Sequence, residues 1–175
     1  LGDVYKRQPV FVDVRNHTLN LDPALVESAI TPRTRAICIV HYAGVGATPD
    51  TFRGIADRYG LLLIEDNAHS LYGAWRGKTL GTFGQLSTLS FHATKNITCG
   101  EGGALHINHP QFVERAEILR DKGTDKSRFV RGETSKYTWV DVGSSWSISD
   151  LLAGVLVGQL ERFGEIHDRL HAIWN

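Results

Sequence analysis

The sequence predicts an α/β fold in which helices cover a mostly parallel sheet. Two apolar runs, "AICIV" (36–40) and "LLLIE" (61–65), have the length and composition of strands buried on both faces. Between them lies "TPDTFRGIADRYG" (48–60), which has a proline near its start and Gly60 at its end, as helices commonly do. A strand, a helix and a second strand in this order are typical of a parallel βαβ unit.

The segments on either side extend the same alternation. "DPALVESAI" (22–30) predicts a helix with Asp22 as its N-cap, and Val10–Val14 predicts a strand because its residues are mostly β-branched or aromatic. Further along the chain, "LSTLSF" (86–91) and "GALHIN" (103–108) predict two more strands. The expected architecture is therefore a sheet between helical layers, an α/β/α sandwich.

The C-terminal part of the chain is expected to be helical around one long loop. A helix is expected from Pro110 to about Lys122, and the polar and aromatic stretch 123–149 predicts a loop. Trp139 and Trp146 in this loop are expected either to anchor an interface or to pack beneath the loop. Apolar residues at helical spacing predict a single helix over 150–175 with an uncovered apolar stripe, which favours association.

Both ends of the chain have the character of a piece of a longer protein. Residues 1–8, "LGDVYKRQ", show neither helical nor strand periodicity, and we expect them to be a non-native junction. At the other end, the helical pattern reaches the last residue without a glycine or proline stop signal.

Composition excludes several classes of function. Nineteen basic and 19 acidic residues give a formal net charge of zero, so we expect no nucleic-acid or anionic membrane partner. The chain has neither an apolar run long enough for a bilayer nor a signal-peptide pattern, which favours the cytoplasm.

Cys38 and Cys99 are expected to be free thiols, with Cys38 in the core. The eight histidines show no metal-site spacing, and His167 and His171 lack an HExxH context, so we expect no metal.

Three residues at or after strand ends carry the most specific chemistry. Asp66 follows one apolar strand, Ser90 ends the next, and Lys95 lies five residues beyond Ser90. A pyridoxal phosphate site needs an amine to hold the aldehyde, a carboxylate for the pyridine nitrogen, and donors for the phosphate. Asp66, Ser90 and Lys95 supply these groups, and the glycine-rich segment 100–103 permits close backbone approach. Taken singly, Asp66 is equally explained as a helix cap and Ser90 as a turn residue.

Other interpretations fit the residues less well. The glycine-rich segments are not followed by the Lys-Ser/Thr pair of a P-loop, and neither cysteine has a partner at CxxC spacing. His41 is expected either to contact substrate or to bond to the backbone at its strand end, and these alternatives stay open.

Five motifs together resemble the DegT/DnrJ/EryC1/StrS family of nucleotide-sugar aminotransferases, and the resemblance covers about residues 9–175. They are "VHYAGV" (40–45), "IEDNAHS" (64–70), "GTFGQLSTLSFHATKN" (81–96), "GEGGAL" (100–105) and the long segment 120–154. The last is similar to the branch of the family that aminates dTDP-4-keto-6-deoxyglucose to dTDP-4-amino-4,6-dideoxygalactose. The resemblance implies fold type I, the aspartate-aminotransferase fold. Residues 9–175 would be part of its cofactor-binding large domain, with helix 150–175 leading toward a C-terminal small domain.

The resemblance also implies a role for individual residues. Lys95 resembles the lysine that holds pyridoxal 5'-phosphate and moves protons, and Asp66 resembles the partner of the pyridine nitrogen. Ala68 would lie against one face of the ring, and Ser90 resembles a phosphate ligand. His69 stands where the family usually has a glutamine that reaches the phenolic oxygen, and an imidazole N–H can donate there as well.

The implied activity is transfer of an amino group from glutamate to the C4 ketone of a dTDP-4-keto-6-deoxyhexose, in a homodimer. Retention of Lys95 favours transamination, because relatives that act as dehydratases have histidine at that position. Ser145 lies where many relatives have an asparagine that reaches the neighbouring subunit's phosphate. Asn67 replaces a usual alanine. The alternatives are another nucleotide keto-sugar as substrate, or a cofactor-binding fragment that is inactive because the resemblance covers less than half of a family member.

Overall fold

The computed structural model describes residues 8–174, so the expected junction at residues 1–8 lies, apart from Gln8, outside the described residues. The chain divides into two compact units between Leu89 and Ser90. The first unit contains α1 (Pro23–Ala29), β1 (Ala36–Val40), α2 (Pro49–Tyr59), β2 (Leu62–Asp66), β3 (Ala74–Trp75), β4 (Lys78–Thr79) and β5 (Leu86–Ser90, whose last residue begins the second unit). The second contains β6 (Gly103–Ile107), α3 (Val113–Arg120), α4 (Lys126–Val130), α5 (Asp150–Glu161) and α6 (Phe163–Trp174).

The sheet of the first unit is parallel, with β2 between β1 and β5. Val40 of β1 pairs with Asp66 of β2, and Asp66 pairs with Thr88 of β5. The carboxyl ends of the three strands therefore meet at one edge, which is where open α/β sheets bind ligands. The small strands β3 and β4 form a separate antiparallel pair. The α/β prediction with a mostly parallel sheet is confirmed.

The core of this unit lies between α2 and one face of the sheet. Phe52 of α2, Ile39 of β1 and Leu63 of β2 are fully buried there. Burying an apolar side chain of this size contributes about 1.5–3 kcal/mol. The helix ends as its sequence predicts, because Gly60 takes the left-handed conformation at φ +63° and its N–H closes the last turn. This packing holds β2 firmly from one side.

The opposite face of the sheet is where the sequence prediction is wrong. Cys38 and Val40 are exposed, so β1 is not buried on both faces and Cys38 is not a core residue. A run of apolar residues does not reveal how many layers cover a strand. Val10–Val14 is not a strand either, since only Val14 forms a single bridge, with Leu21. Strand propensity depends on a partner to pair with.

The second unit is more helical than expected. Pro110 opens a 3-10 turn, the expected loop at 123–149 contains α4, and the expected helix at 150–175 is two helices interrupted at Arg162. Trp139 and Trp146 are 79% and 74% exposed, so packing beneath the loop is wrong. The apolar residues of α5 and α6 are at best half-buried, and association through them stays a prediction. Among the described helices, none is long and apolar enough to cross a membrane.

Candidate active site

Asp66 is the last residue of β2 and turns the chain out of the sheet. Its Oδ1 accepts the N–H of Ala68 at 3.1 Å, which is the local bond of an aspartate that ends a strand. The side chain is half-buried and shares a face of the sheet with Val40 and Thr88, its exposed register partners. The carboxylate forms no ion pair with a lysine or arginine of the described chain. A carboxylate in this position is suited to a cationic ligand.

A buried carboxylate on the other face holds this strand end in place. Glu65 is fully buried, and its two oxygens accept four hydrogen bonds. Oε1 accepts the N–H of Gly81 at 2.8 Å and Nε2–H of His41 at 3.0 Å. Oε2 accepts the N–H groups of Phe83 at 2.7 Å and Gly84 at 2.6 Å. Glu65 thus fastens the 81–84 turn to β2 directly beneath Asp66.

The ionisation state of this cluster follows from its hydrogen bonds. Burial by itself would raise the pKa of Glu65, but the hydrogen bonds from His41, Gly84 and Gly81 outweigh it and hold that pKa below its ordinary value. His41 accepts the N–H of Ala47 at Nδ1, at 3.1 Å, so its proton is on Nε2 and its ring is neutral. His41 is therefore buried and structural, and the substrate-contact alternative is wrong.

His69 lies on the same edge of the first unit, in the segment that follows β2. Its ring is exposed, and its Nδ1 accepts the N–H of Ala43 at 3.2 Å. The ring also meets the edge of Tyr42, with 6.0 Å between the ring centroids. Since Nδ1 accepts, the neutral ring carries its proton on Nε2, where it is available as a donor.

Asn67, which departs from the family pattern, has a structural role. The side chain is buried, its Nδ2 donates to the carbonyl of Leu80 at 3.3 Å, and its Oδ1 accepts from the hydroxyl of Ser70. Gly81 packs against it, since a Cβ there would lie 2.9 Å from Nδ2 of Asn67. Asn67 therefore supports the start of the 81–84 turn, in addition to Glu65.

Lys95 lies on a closed loop of the second unit. The N–H of Phe91 donates to the carbonyl of Gly102 at 2.8 Å, and that of Ala93 donates to Gly100 at 2.8 Å, so the two ends of the loop run side by side. Lys95 is half-buried near the far end, and its N–H donates to the carbonyl of His92 at 2.9 Å. Its ammonium group has no carboxylate partner among residues 8–174. The loop therefore presents an uncompensated amine.

Gly102 is the position where this loop depends on the absence of a side chain. A Cβ there would lie 2.7 Å from Sγ of Cys99 and 3.1 Å from Cδ1 of Ile148. Gly102→Ala is expected to lower the free energy of unfolding by about 1–3 kcal/mol, because the loop and its neighbours must shift.

Urea denaturation of the parent chain and the variant measures this effect. The control is Gly154→Ala in α5, where a Cβ meets nothing within 4 Å and the change should stabilise the helix slightly. Equal effects of the two substitutions would show that the loop tolerates a side chain at position 102.

Ser90 and Ser145 take separate positions in the second unit. Ser90 is half-buried at the end of β5, and its Oγ accepts the N–H of His92 at 3.4 Å. Ser145 is exposed and forms an isolated bridge with Asp121. Of the six predicted site residues, Asp66, Ala68 and His69 lie together in the first unit, while Ser90, Lys95 and Ser145 belong to the second.

The residues present fit pyridoxal phosphate. Its pyridinium nitrogen needs an anionic partner, and Asp66 has a half-buried carboxylate bonded only to Ala68 in the described part of the chain. Its aldehyde needs an amine, and Lys95 supplies one without a counter-ion in that same part. Each unit therefore carries groups of the kind that the cofactor needs: a carboxylate in the first unit, and an amine and a hydroxyl in the second.

The expectation that His41 bonds to the backbone is confirmed by its bond from Ala47, but sequence reasoning missed Glu65 and the turns that these two residues hold. Glu65 carried a signal, because a charged residue in the apolar run "LLLIE" needs buried partners. Its partners could not be identified, because they come from the distant 81–84 turn and from the end of β1.

Comparisons with known proteins show the family to which the chain belongs. The family model of the DegT/DnrJ/EryC1/StrS aminotransferases matches residues 5–175. SpsC of Bacillus subtilis (strain 168), a spore coat polysaccharide biosynthesis protein, is 33% identical over 168 residues, which cover 94% of this chain and 43% of SpsC. The chain spans 42% and 43% of the lengths of two curated relatives that it matches.

Solved structures give the same fold. DesI, whose crystal structure was determined in the presence of its TDP-sugar product, is 34% identical with a TM-score of 0.77, covering 90% of this chain and 38% of DesI. Spr1654 of Streptococcus pneumoniae, solved in its PMP form, is 25% identical with a TM-score of 0.79, covering 90% of this chain and 44% of Spr1654. A PLP form of Spr1654 has also been solved. The family model matches residues 5–175 and these solved structures share the fold, so this chain belongs to the DegT/DnrJ/EryC1/StrS aminotransferase family.

Proposed function

We propose that the whole protein is a pyridoxal-phosphate-dependent aminotransferase that moves an amino group from glutamate to the C4 ketone of a dTDP-4-keto-6-deoxyhexose. The observation that carries the proposal is the presence of two complementary groups, a half-buried carboxylate at Asp66 and an amine at Lys95 that has no carboxylate partner among the described residues. Each lies at or after the carboxyl end of a parallel strand, where ligands of α/β sheets bind. Family membership supports the same chemistry.

The bound cofactor supplies an electron sink for charge that develops at the Cα of the amino donor. The carboxylate of Asp66 holds a proton on the pyridine nitrogen by charge pairing. The Nζ of Lys95 would hold the aldehyde, and as a free amine it would serve as the base for the Cα proton of the donor. Ser90 donates its hydroxyl to the phosphate, and the small side chain of Ala68 leaves space for a ring face.

The substrate class is supported by the relatives. DesI was crystallised with its TDP-sugar product, and SpsC is a polysaccharide biosynthesis protein. The 120–154 segment resembles the branch that forms dTDP-4-amino-4,6-dideoxygalactose. We therefore propose a role in polysaccharide or surface-antigen synthesis, a cytoplasmic location and a homodimer in which Ser145 reaches the partner's phosphate.

The direct test supplies the purified whole protein with pyridoxal phosphate, glutamate and dTDP-4-keto-6-deoxyglucose. We expect 2-oxoglutarate and the 4-amino sugar nucleotide in equal amounts. Turnover only with another nucleotide keto-sugar would correct the substrate, and absence of 2-oxoglutarate with every keto-sugar would overturn the function. The 175-residue chain by itself is the comparison, and we expect no turnover from it.

His69→Gln is expected to be tolerated in the whole protein. The amide N–H of glutamine can donate the hydrogen bond that we assign to Nε2–H of His69, and loss of one such bond costs only about 1 kcal/mol. The measurement is the dissociation constant of pyridoxal phosphate by absorbance, with His69→Ala as the variant that removes the donor. A change beyond about tenfold for His69→Gln would mean that the ring has a role that an amide cannot fill.

A further inference from the structure

The turn between β1 and α2, residues 42–47, is held between two imidazole rings. At its start, the N–H of Ala43 donates to Nδ1 of His69 at 3.2 Å. At its end, the N–H of Ala47 donates to Nδ1 of His41 at 3.1 Å. All of these groups belong to the first unit. The two rings therefore receive the same kind of backbone bond from opposite ends of one turn.

The two rings differ in what their other nitrogen does. In both, acceptance at Nδ1 places the proton of the neutral ring on Nε2. In His41 that proton is donated to Glu65 at 3.0 Å inside the core. In His69 the ring is exposed, and its Nε2 has no hydrogen bond to another residue of the described chain. Of these two rings, His69 is therefore the one that keeps a donor available for a ligand.

The conformation of the turn explains why it needs this support. Ala43 has φ +52° and Thr48, just beyond the turn, has φ +48°, a conformation that costs non-glycine residues of order 1 kcal/mol or more. Further bonds come from Asn20, whose Oδ1 accepts the N–H of Tyr42 at 2.9 Å and whose Nδ2 donates to Val45 at 2.9 Å. The buried His41–Glu65 pair supports the end of the turn, because Nδ1 of His41 accepts the N–H of Ala47 while its Nε2–H donates to Glu65.

We propose that His41 is a positioning residue for His69. By accepting the N–H of Ala47, His41 fixes the turn, and the turn then presents the N–H of Ala43 to Nδ1 of His69. His69 is thereby fixed as the Nε2–H tautomer and acts as a neutral donor to an acceptor oxygen of the ligand. The identity of the ligand rests on the proposed function, whereas the tautomer and its dependence on His41 do not.

Two conservative variants separate positioning from general stability. His41→Gln keeps a donor for Glu65 but lacks an acceptor at the Nδ1 position, so the turn loses its bond from Ala47. His41→Asn keeps an acceptor at the Nδ1 position but lacks the donor for Glu65. If His41 positions His69, His41→Gln should have the larger effect on the tautomer of His69. If His41 only stabilises the fold, His41→Asn should lower the free energy of unfolding more than His41→Gln does. His17→Asn, at an exposed turn, is the control.

The readouts are taken on the 175-residue chain without cofactor. Long-range ¹H–¹⁵N spectra of ¹⁵N-histidine-labelled protein report the tautomer of His69, and hydrogen exchange reports the Ala43 amide. In the parent we expect one Nε2–H tautomer and a protected amide. In His41→Gln the Ala43 amide should exchange about tenfold faster and His69 should become a mixture of tautomers, the loss of one hydrogen bond being worth this factor. His41→Asn should stay closer to the parent.

Two results would overturn the proposal. One is a parent in which His69 carries its proton on Nδ1 or samples both tautomers. The other is a folded His41→Gln in which the Ala43 amide and the His69 tautomer are unchanged. If His41→Asn fails to fold, the comparison of the parent with His41→Gln decides alone. Because no cofactor is present, failure here leaves the proposed function standing, and failure of the activity test leaves this inference standing.

Discussion

Asp66→Ala in the whole protein is expected to lower kcat at least about 10²-fold, the scale on which a proton-holding group contributes to catalysis. Under the proposed function, the carboxylate of Asp66 would keep a proton on the ring nitrogen of the bound cofactor, and that proton is what would make the ring an electron sink. Attachment of the aldehyde needs only the amine of Lys95. The absorbance of the lysine-bound cofactor should therefore survive while turnover is lost.

Two further variants complete this experiment. Asp66→Asn keeps the shape of the side chain without its charge and should resemble Asp66→Ala. Asp168→Ala, at an exposed position of α6, removes a carboxylate far along the chain and should turn over at the parent rate. If Asp66→Ala turned over substrate at the parent rate, the role of Asp66 would be only structural, as the acceptor of the N–H of Ala68 after β2.

Glu65→Ala is expected to lower the free energy of unfolding by about 3–5 kcal/mol, the range for removing one partner of a buried charged network. The substitution removes the carboxylate that accepts the N–H groups of Gly81, Phe83 and Gly84 and Nε2–H of His41. Glu65→Gln keeps the volume but turns a donor toward these donors, so it should destabilise as well. Urea denaturation of the 175-residue chain measures both.

The pH dependence of the parent gives an independent check. Since the folded-state pKa of Glu65 lies below its ordinary value, the network contributes fully above about pH 4.3 and is lost as the pH falls through the lower folded-state pKa. Glu65→Gln should lack this part of the acid dependence. Glu161→Ala, an exposed change at the end of α5, should leave stability within about 0.5 kcal/mol of the parent. A Glu65→Ala chain as stable as this control would contradict the network.

The elements predicted from sequence were those whose signals are local. α1 begins as Asp22 and Pro23 indicate, with the N–H of Ala24 donating to Asp22, and α2 ends at Gly60. Both signals depend on one or two residues acting on their own backbone. Val10–Val14 was predicted by propensity and lacks a partner strand, a non-local requirement that the segment cannot reveal.

The same distinction between local and non-local signals applies to the candidate site. The position of Asp66 at the end of β2 was predicted from the local end of an apolar run, whereas its joint role with Lys95 stays a prediction. The support beneath Asp66 was not predicted, since Glu65 binds a turn 16 to 19 residues away and His41 lies 24 residues from Glu65. The break at Arg162 was also missed, because the apolar spacing continues through it from Leu160 to Phe163.

Chemical trapping of the cofactor decides whether Lys95 is the residue that holds it. The whole protein is loaded with pyridoxal phosphate, reduced with borohydride and digested, and the peptides are mapped by mass spectrometry. We expect the phosphopyridoxyl group on Lys95, within the segment 90–105, and no label there in Lys95→Arg. Labelling of Lys78 or Lys122 in place of Lys95, at the stoichiometry of the bound cofactor, would contradict it.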